Sequence, residues 1–228
     1  MKVVTMTAYN RPEFLSQVVT SIMEARNASD YRYVISVDAS DKFDANIKAL
    51  DKLYLCKEII VNEPKLGCSS NTGHALRRGF NRGADFVIHI EDDCIISPDF
   101  FLYMEWANKT FAQSAHVDYV SGWQRTVAGA LNDVVFRNHF TPWGFGTWRR
   151  VFEQVWPEWD HGYVHNGWDW NLRRLLNHNL EVYPAISRVQ NIGTYGVHVP
   201  SPEFHAAEQQ ALVVSENRED LEWNIVSS

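Results

Sequence analysis

Residues Phe86-Val-Ile-His-Ile-Glu-Asp-Asp93 form an apolar run that ends in three consecutive acids. Gly83 precedes this run and Ser97-Pro98 follow it. The length and the β-branched content predict a buried strand between these turn residues. The acids therefore come at the carboxyl end of a strand, which is where open α/β sheets bind their ligands.

The acids themselves allow two interpretations. Neighbouring carboxylates repel each other unless a cation neutralises them, so Glu91, Asp92 and Asp93 suit a divalent metal that arrives with a phosphorylated ligand. The alternative is a solvated acidic turn before a helix, with Ser97 as the N-cap and Pro98 at the first helical position. These residues alone do not decide between the two.

Composition excludes several classes of protein. A chain of 228 residues can build one substantial core, and a net charge of −7 gives no overall basic footprint for nucleic acid. The three cysteines lack CxxC spacing, which argues against a disulfide framework or a structural zinc site. The N-terminus has no signal-like apolar region, and no run of about 18 apolar residues is present. We therefore expect a cytoplasmic protein without a membrane span.

Strand patterns alternate with helical patterns in the first half of the chain. This alternation indicates βαβ units and a parallel sheet, so Tyr9 to Arg11, Asp38 and the three acids should meet at one edge of the sheet. The predicted strands before the Phe86 run are Val3–Thr7, Tyr33–Val37 and Glu58–Val61, and the predicted helices cover about 12–25, 41–53, 69–81 and 98–112.

The pattern changes after residue 112. Val117–Val120 and Val134–Phe136 are predicted strands, and an aromatic and glycine-rich region extends to residue 170. No linker separates the two halves. The tail from 206 to 228 is polar and is expected to be a terminal helix or partly disordered.

Four motifs together resemble one known family. They are Glu91-Asp-Asp-Cys-Ile-Ile-Ser-Pro-Asp-Phe-Phe101, Trp143-Gly-Phe-Gly-Thr-Trp148, Trp168-Asp-Trp170 with Arg173, and Pro184-Ala-Ile-Ser-Arg188 followed by 193–198. Their order and content resemble the GT-A glycosyltransferases, and within them the N-acetylglucosaminyltransferase I group, whose DXD metal motif has a Glu-Asp-Asp variant.

The resemblance implies an α/β fold of the GT-A, Rossmann-like type, with a mostly parallel central sheet flanked by helices. It implies a nucleotide-sugar-binding half over 1–112, a smaller aromatic-rich acceptor-binding half over 113–205, and a C-terminal tail over 206–228. The implied activity is metal-dependent, inverting transfer of a sugar from a uridine diphosphate donor to an acceptor hydroxyl.

Donor and metal residues follow from the resemblance. Asp93 would ligate Mn²⁺ or Mg²⁺, and Asp92 and Glu91 would reach the waters of the metal or the ribose. Tyr9 and Arg11 would contact the nucleotide. Two further assignments concern Asp38, as acceptor from the uracil N–H, and His74, as a residue near the donor.

Each of these residues also has a structural alternative. Asp38 could cap a helix or a turn, Arg11 could be a surface arginine, and His74 could be a capping or core histidine.

The predicted acceptor-binding half contains the candidate catalytic residue. Asp169 aligns with the catalytic carboxylate of the family, and Trp168 and Trp170 would partly remove it from water, which favours a general base. The alternative is an N-cap for a helix over 170–176. His198 could be a further ligand of the metal or the diphosphate.

The sugar or acceptor pocket is predicted to involve Trp143, Gly144 and Trp168. Trp106 and Trp123 are predicted to lie in the core.

The acceptor stays open between a glycan or glycoconjugate and a 5-hydroxymethylated pyrimidine in DNA. An enzyme acting on DNA would flip its target base into an aromatic pocket. Four arginines are either solvated helix faces or contacts for an anionic acceptor, namely Arg149, Arg150, Arg173 and Arg174. A non-catalytic carbohydrate-binding module and a sugar nucleotidyltransferase are the alternatives to a transferase.

Overall fold

The computed structural model describes residues 1–161, 168–175, 180–196, 201–203, 214 and 222–226. Most strands belong to one nine-stranded sheet, and a second sheet pairs two short strands. The large sheet contains β1 (Val3–Ala8), β2 (Arg32–Asp38), β3 (Lys57–Asn62), β4 (Phe86–Glu91), β6 (Val117–Ser121), β7 (Asp133–Arg137), β8 (Phe145–Trp148), β9 (Leu180–Pro184) and β11 (Asn224–Ile225); the small one contains β5 (Cys94–Ile96) and β10 (Val189–Asn191).

Helices cover both faces of the large sheet. They are α1 (Pro12–Glu24), α2 (Phe43–Asp51), α3 (Cys68–Asn81), α4 (Phe100–Phe111), α5 (Arg149–Val155) and α6 (Trp170–Leu175). Short 3₁₀ turns at Ala28–Asp30 and Trp156–Glu158 join some of the elements. Within the described ranges, no helix is both long and apolar enough to cross a membrane.

The strand order is β3-β2-β1-β4-β8-β6-β9-β7-β11. The first four strands in this order are parallel, and β8 lies antiparallel between β4 and β6. The predicted α/β class with a mostly parallel sheet is therefore confirmed. One sheet continues across residue 112, so the two predicted halves share their central layer.

Strand alternation divides the core into two layers. On β1, Val4 and Met6 pack with α1, α2 and α4, whereas Val3 packs with α3, α5 and α6 on the opposite face. Both faces of the central strands are apolar because helices cover both, which is typical of parallel sheets. The buried strand predicted before the acids is β4, whose residues 87–90 are all buried.

The acidic turn before a helix is not what the chain forms. Asp92 and Asp93 are buried, and the chain continues into β5, which pairs with β10. The helix then begins at Phe100 with Asp99 at the N-cap position, so Ser97 and Pro98 precede the helix rather than start it.

The carboxylate of Asp99 is engaged in a buried cluster. It accepts from Ser97 Oγ at 2.6 Å and from Arg188 Nε at 3.0 Å, and both charged side chains are completely buried. Arg188 also donates to the carbonyls of Ile186 and Leu131, and its guanidinium lies 4.8 Å from the ring of Trp223. This ion pair joins the start of α4 to the segment before β10.

Part of the C-terminal tail is packed against this cluster. Trp223 contacts the rings of Tyr103 and Trp106, and β11 extends the sheet in parallel with β7. Trp106 and Trp123 both pack in the core layer that contains Val4 and Met6, which we call the main core, as predicted.

Buried His89 on β4 predicts a dependence of stability on pH. Its Nδ1 lies 2.9 Å from Thr5 Oγ1, and burial lowers its pKa to about 3. In the unfolded chain this histidine takes up a proton near pH 6.5, whereas the folded protein keeps it neutral. The free energy of unfolding should therefore fall as the pH decreases from 6.5 toward 3. Urea titrations at several pH values between 6 and 4 measure the free energy of unfolding at each pH. The slope of this free energy against pH should be shallower by about 1.4 kcal/mol per pH unit in His89→Phe than in the wild type.

The matched control is His116→Gln, because His116 is exposed on the surface. Its slope should follow that of the wild type. Parallel slopes for His89→Phe and the wild type would show that His89 is not held neutral in the folded protein.

Candidate active site

The carboxyl ends of β1 and β4 bring the first group of predicted residues together. The backbone N–H of Tyr9 donates to Asp92 Oδ2 at 3.3 Å. The guanidinium of Arg11, at the N-cap position of α1, forms ion pairs with both Asp92 and Asp93. The parallel order β2-β1-β4 therefore places side chains from distant parts of the sequence at one edge, as predicted.

Glu91 and the two aspartates form a crowded anionic cluster. Burial is the main cause that raises the pKa of Glu91 to about 8, and the charge of Asp93 adds to it. Burial raises the pKa of Asp92 to about 6 although Arg11 opposes this shift. The cluster thus carries more negative than positive charge, and its raised pKa values indicate an environment that a bound cation would relieve.

The donor atoms fit a hard divalent cation. Glu91, Asp93 and Cys94 each offer a ligand atom, and these atoms lie within 4.8 Å of one another. Burial raises the pKa of the Cys94 thiol well above its usual range, so its sulfur is protonated and a poor ligand. The useful donors are carboxylate oxygens, which suit Mn²⁺ or Mg²⁺. Three carboxylates against one guanidinium leave a formal charge of −2, matching a divalent ion.

A glycine closes one side of this cluster. The segment after β10 runs across it, with Ile192 N–H donating to the carbonyl of Asp93 at 2.8 Å. A Cβ atom at Gly193 would lie 2.2 Å from Asp93 Oδ2 and 3.1 Å from Arg11 Nη1. Only glycine leaves room for the ion pair here. The sequence marks Gly193 as part of a motif but does not show this reason for it.

Asp38 lies at the end of β2, and its carboxylate organises the next loop. It accepts from Asn62 Nδ2 at 2.9 Å, from Leu66 N–H at 3.2 Å and from Gly67 N–H at 2.9 Å. This resembles the structural alternative of a turn aspartate. The hydrogen bonds also fix Gly67, which has a φ of 82° and is the N-cap residue of α3.

Tyr9 is held mainly through its backbone. Its carbonyl accepts from Ser40 Oγ at 2.8 Å and from Asn46 Nδ2 at 2.5 Å. Lys65 Nζ lies 4.2 Å from the centre of the Tyr9 ring and donates to its hydroxyl at 3.0 Å. Lys65, which sequence reasoning missed, thus accompanies Tyr9 beside the Asp38 loop.

Asp169 immediately precedes α6. Its Oδ2 accepts from Arg173 Nε at 2.8 Å, and its carbonyl accepts from the N–H groups of Leu172 and Arg173. Trp168 is buried, whereas Trp170 is 39% exposed, so the expected shielding of Asp169 from both sides is not symmetrical. The carboxylate is oriented by its arginine partner.

Trp168 joins the two halves of the candidate site. Its indole N–H donates to Glu91 Oε1 at 2.9 Å, and its side chain is 3% exposed. The predicted pocket residue and the acidic cluster are therefore in direct contact. This contact places the Asp169 segment beside the carboxyl end of β4.

The structure places His74 in a different cluster. Its ring stacks on His161 with centroids 5.2 Å apart and meets Trp156 edge-on at 5.5 Å. Burial and the neighbouring His161 lower the pKa of His74. Its described contacts resemble those of a partly buried histidine on α3, and they do not join it to the acids.

Trp143 and Gly144 also have packing roles. Trp143 meets Trp123 edge-on at 4.7 Å against the main core. Gly144 has a φ of 57°, and a Cβ atom there would lie 2.5 Å from Val189. His198 lies outside the described residues.

The predicted arginine contacts for an anionic acceptor are mostly engaged within the protein. Arg149 donates to the carbonyls of Phe80 at 2.6 Å and Ala84 at 2.7 Å. Arg150 pairs with Asp118 at 3.0 Å, and Arg173 pairs with Asp169. The side chain of Arg174 lies outside the described residues.

Solved structures with a similar fold include a mannosyltransferase. The mannosyltransferase PcManGT from Pyrobaculum calidifontis, solved in complex with GDP-Man and Mn²⁺, has a TM-score of 0.50 and 15% identity over 68% of this chain and 46% of that chain. TarS from S. aureus has a TM-score of 0.61 and 11% identity over 85% of this chain and 37% of that chain. This chain therefore spans less than two thirds of either structure, and at these identities the likeness concerns the fold.

Two family models match the sequence. The model described as Glycosyl transferase family 2 matches residues 3–108, and the model of the GNT-I family matches residues 73–211. No curated protein sequence matches the chain significantly. Because the GNT-I match covers more than half of the chain and the fold agrees with it, this chain belongs to the GNT-I family of GT-A glycosyltransferases.

Proposed function

We propose that this protein transfers a sugar from a nucleoside diphosphate donor, with uridine as the first candidate base, to an acceptor hydroxyl. The observation that carries the proposal is the buried cluster of Glu91, Asp92 and Asp93 with Arg11, in direct contact with the segment that carries Asp169. The family match supports the reaction class. The cluster supports a requirement for a divalent cation, which Asp93 would hold.

The chain's own residues divide the work between donor and acceptor. A bound divalent cation would supply Lewis acidity that offsets the charge developing on the leaving diphosphate. Arg11 pairs with the two aspartates, and Tyr9 at the end of β1 would contact the nucleotide. Asp38 holds the loop before α3 in place, and through that loop it would shape the donor site.

Asp169 would act as the general base. Its carboxylate takes the proton from the acceptor hydroxyl, and the hydroxyl oxygen then attacks the anomeric carbon as the bond to the diphosphate breaks. Attack from the face opposite the leaving group inverts the configuration. Arg173 orients the carboxylate through the 2.8 Å bond to Oδ2.

The test is mass spectrometry of acceptors after incubation with Mn²⁺ and a panel of nucleotide sugars. Simple oligosaccharides and DNA containing hydroxymethylcytosine are offered side by side, with EDTA as the control for metal. A hexose or N-acetylhexosamine mass that appears only with Mn²⁺ is expected on one acceptor class. Binding of sugars without turnover of any donor would favour a carbohydrate-binding module instead.

The panel also decides the acceptor. Arg149 and Arg150 bond to the protein itself, so a phosphate backbone would have to compete with these bonds. We therefore expect the sugar on a glycan or glycoconjugate. A sugar mass on the DNA base would overturn this expectation while leaving the transferase proposal intact.

Gly193→Ala is expected to lower turnover by about 10²-fold, because the new methyl group displaces Asp93 or Arg11 by an ångström or more. Mn²⁺ affinity should fall with it, as measured by calorimetry. The matched control is Thr194→Ala at the next, exposed position, which should retain both properties. Wild-type turnover in Gly193→Ala would show that the segment after β10 moves away from the cluster during the reaction.

A further inference from the structure

The hydrogen bond of Glu91 sets it apart from the two aspartates. Asp92 and Asp93 both pair with Arg11, whereas Glu91 Oε1 accepts from Trp168 Nε1 at 2.9 Å. Glu91 ends β4, and Trp168 lies 77 residues later in the chain. One carboxylate of the triplet is thus directed to the acceptor half.

The indole ring of Trp168 is surrounded mainly by aromatic side chains. The ring packs nearly parallel to Trp159, with 14° between the planes, and also contacts Phe145 and His89. Its N–H can only donate, and a buried donor without a partner is costly. The carboxylate of Glu91 supplies that partner inside an otherwise aromatic environment, and so it fixes both the position and the direction of the ring.

The position of the ring is transmitted to Asp169 through the backbone. The carbonyl of Trp168 accepts from the backbone N–H of Asn171 at 3.1 Å and from its Nδ2 at 3.2 Å. Asn171 is completely buried and also donates to Ser69 Oγ on α3 at 2.9 Å. Residues 168–171 therefore form one turn, which is held on one side by α3 and on the other by Glu91.

We propose that Glu91 is a positioning residue rather than a ligand of the cation. Its carboxylate accepts the indole N–H of Trp168 and thereby sets where Asp169 meets the acceptor hydroxyl. This inference rests on the proposed function for the role of Asp169. The hydrogen bond itself and its independence from the cation can be tested without turnover.

The decisive comparison is Glu91→Gln with Glu91→Met. Glutamine has no charge but retains an acceptor oxygen for the indole, whereas methionine is of similar length and has no such oxygen. Trp168→Phe removes the donor from the other side. All three are measured for kcat, for KM of the donor, for Mn²⁺ affinity by calorimetry, and for hydrogen exchange of the Trp168 indole N–H by NMR. Trp168→Phe identifies that resonance by its disappearance.

Glu91→Gln keeps the acceptor oxygen but removes one charge of the cluster, so it should retain slow indole exchange, lose less kcat than Glu91→Met, and lose far less Mn²⁺ affinity than Asp93→Asn. Glu91→Met and Trp168→Phe should lower kcat by about 10²-fold, because the base is misplaced, while Mn²⁺ affinity and the donor KM change little. Glu91→Met combined with Trp168→Phe should have a kcat no lower than that of the slower single variant, since both substitutions remove the same hydrogen bond. Fast indole exchange should accompany Glu91→Met alone among the glutamate variants.

Two results would overturn the proposal. Loss of Mn²⁺ affinity in Glu91→Gln comparable with that in Asp93→Asn would identify Glu91 as a ligand. Unchanged indole exchange or unchanged kcat in Glu91→Met would show that the bond does not position the turn. An Asp169→Asn variant with wild-type turnover would instead refute the role proposed for Asp169, and the exchange and affinity data would still decide whether Glu91 is an anchor or a ligand.

Discussion

Asp93→Asn is expected to lower metal-dependent sugar transfer by about 10³-fold. In the proposed function Asp93 is the principal ligand of a Lewis acid, and its removal should cost about 4 kcal/mol of transition-state stabilisation, since each 1.36 kcal/mol changes a rate tenfold. The measurement is initial rate against Mn²⁺ concentration, together with direct Mn²⁺ binding by calorimetry. Unchanged turnover would refute the assignment of Asp93 as the metal ligand.

Stability measurements separate this effect from misfolding. The charge of Asp93 is one of the causes that raise the pKa of Glu91 and of Asp92. Asparagine removes that repulsion but also one of the two carboxylate partners of Arg11, which keeps its pair with Asp92, so without metal the variant should be close to the wild type in stability to urea. The control Asp51→Asn changes an exposed acid at the end of α2 and should leave both turnover and Mn²⁺ affinity unchanged.

Asp99→Asn is expected to lower the free energy of unfolding by about 3–5 kcal/mol, because it leaves Arg188 charged and fully buried without its carboxylate. Urea titration near neutral pH provides the measurement, with the slope of the transition checked against the wild type. The matched control is Asp30→Asn, whose exposed pair with Lys2 should contribute less than about 1 kcal/mol.

A double variant tests the cause of this loss. Asp99→Leu combined with Arg188→Met replaces the ion pair by apolar side chains and should recover much of the stability, because no buried charge remains. A free energy of unfolding of Asp99→Asn within 1 kcal/mol of the wild-type value would mean that water or another residue compensates the charge of Arg188. The ion pair would then not be what holds β10 to the start of α4.

Much of the fold followed from local patterns. Strands covered by helices on both faces read as continuous apolar runs, and turn residues separate them from amphipathic helices. The parallel arrangement then required Arg11 and the acidic triplet to share one edge, since parallel strands have their carboxyl ends together. These predictions succeeded because each depends on neighbouring residues and on a general rule of sheet topology.

The remaining contacts depend on the folded chain. Asp38, Asp93 and Asp99 are alike as carboxylates near strand or helix ends, yet one holds a loop, one faces Arg11 and one neutralises Arg188. The partners of Asp99 and Glu91 lie 89 and 77 residues away in sequence. No local pattern specifies such pairs.

By itself the sequence determined the alternation of elements, the buried strand before the acids and the family to which the motifs belong. Tertiary structure decided that β8 inserts between β4 and β6, that His74 packs with His161, and that Trp168 contacts Glu91. The physical reason is that secondary structure responds to neighbouring residues, whereas the partner of a buried polar group is whichever donor or acceptor the packed chain brings within hydrogen-bonding distance.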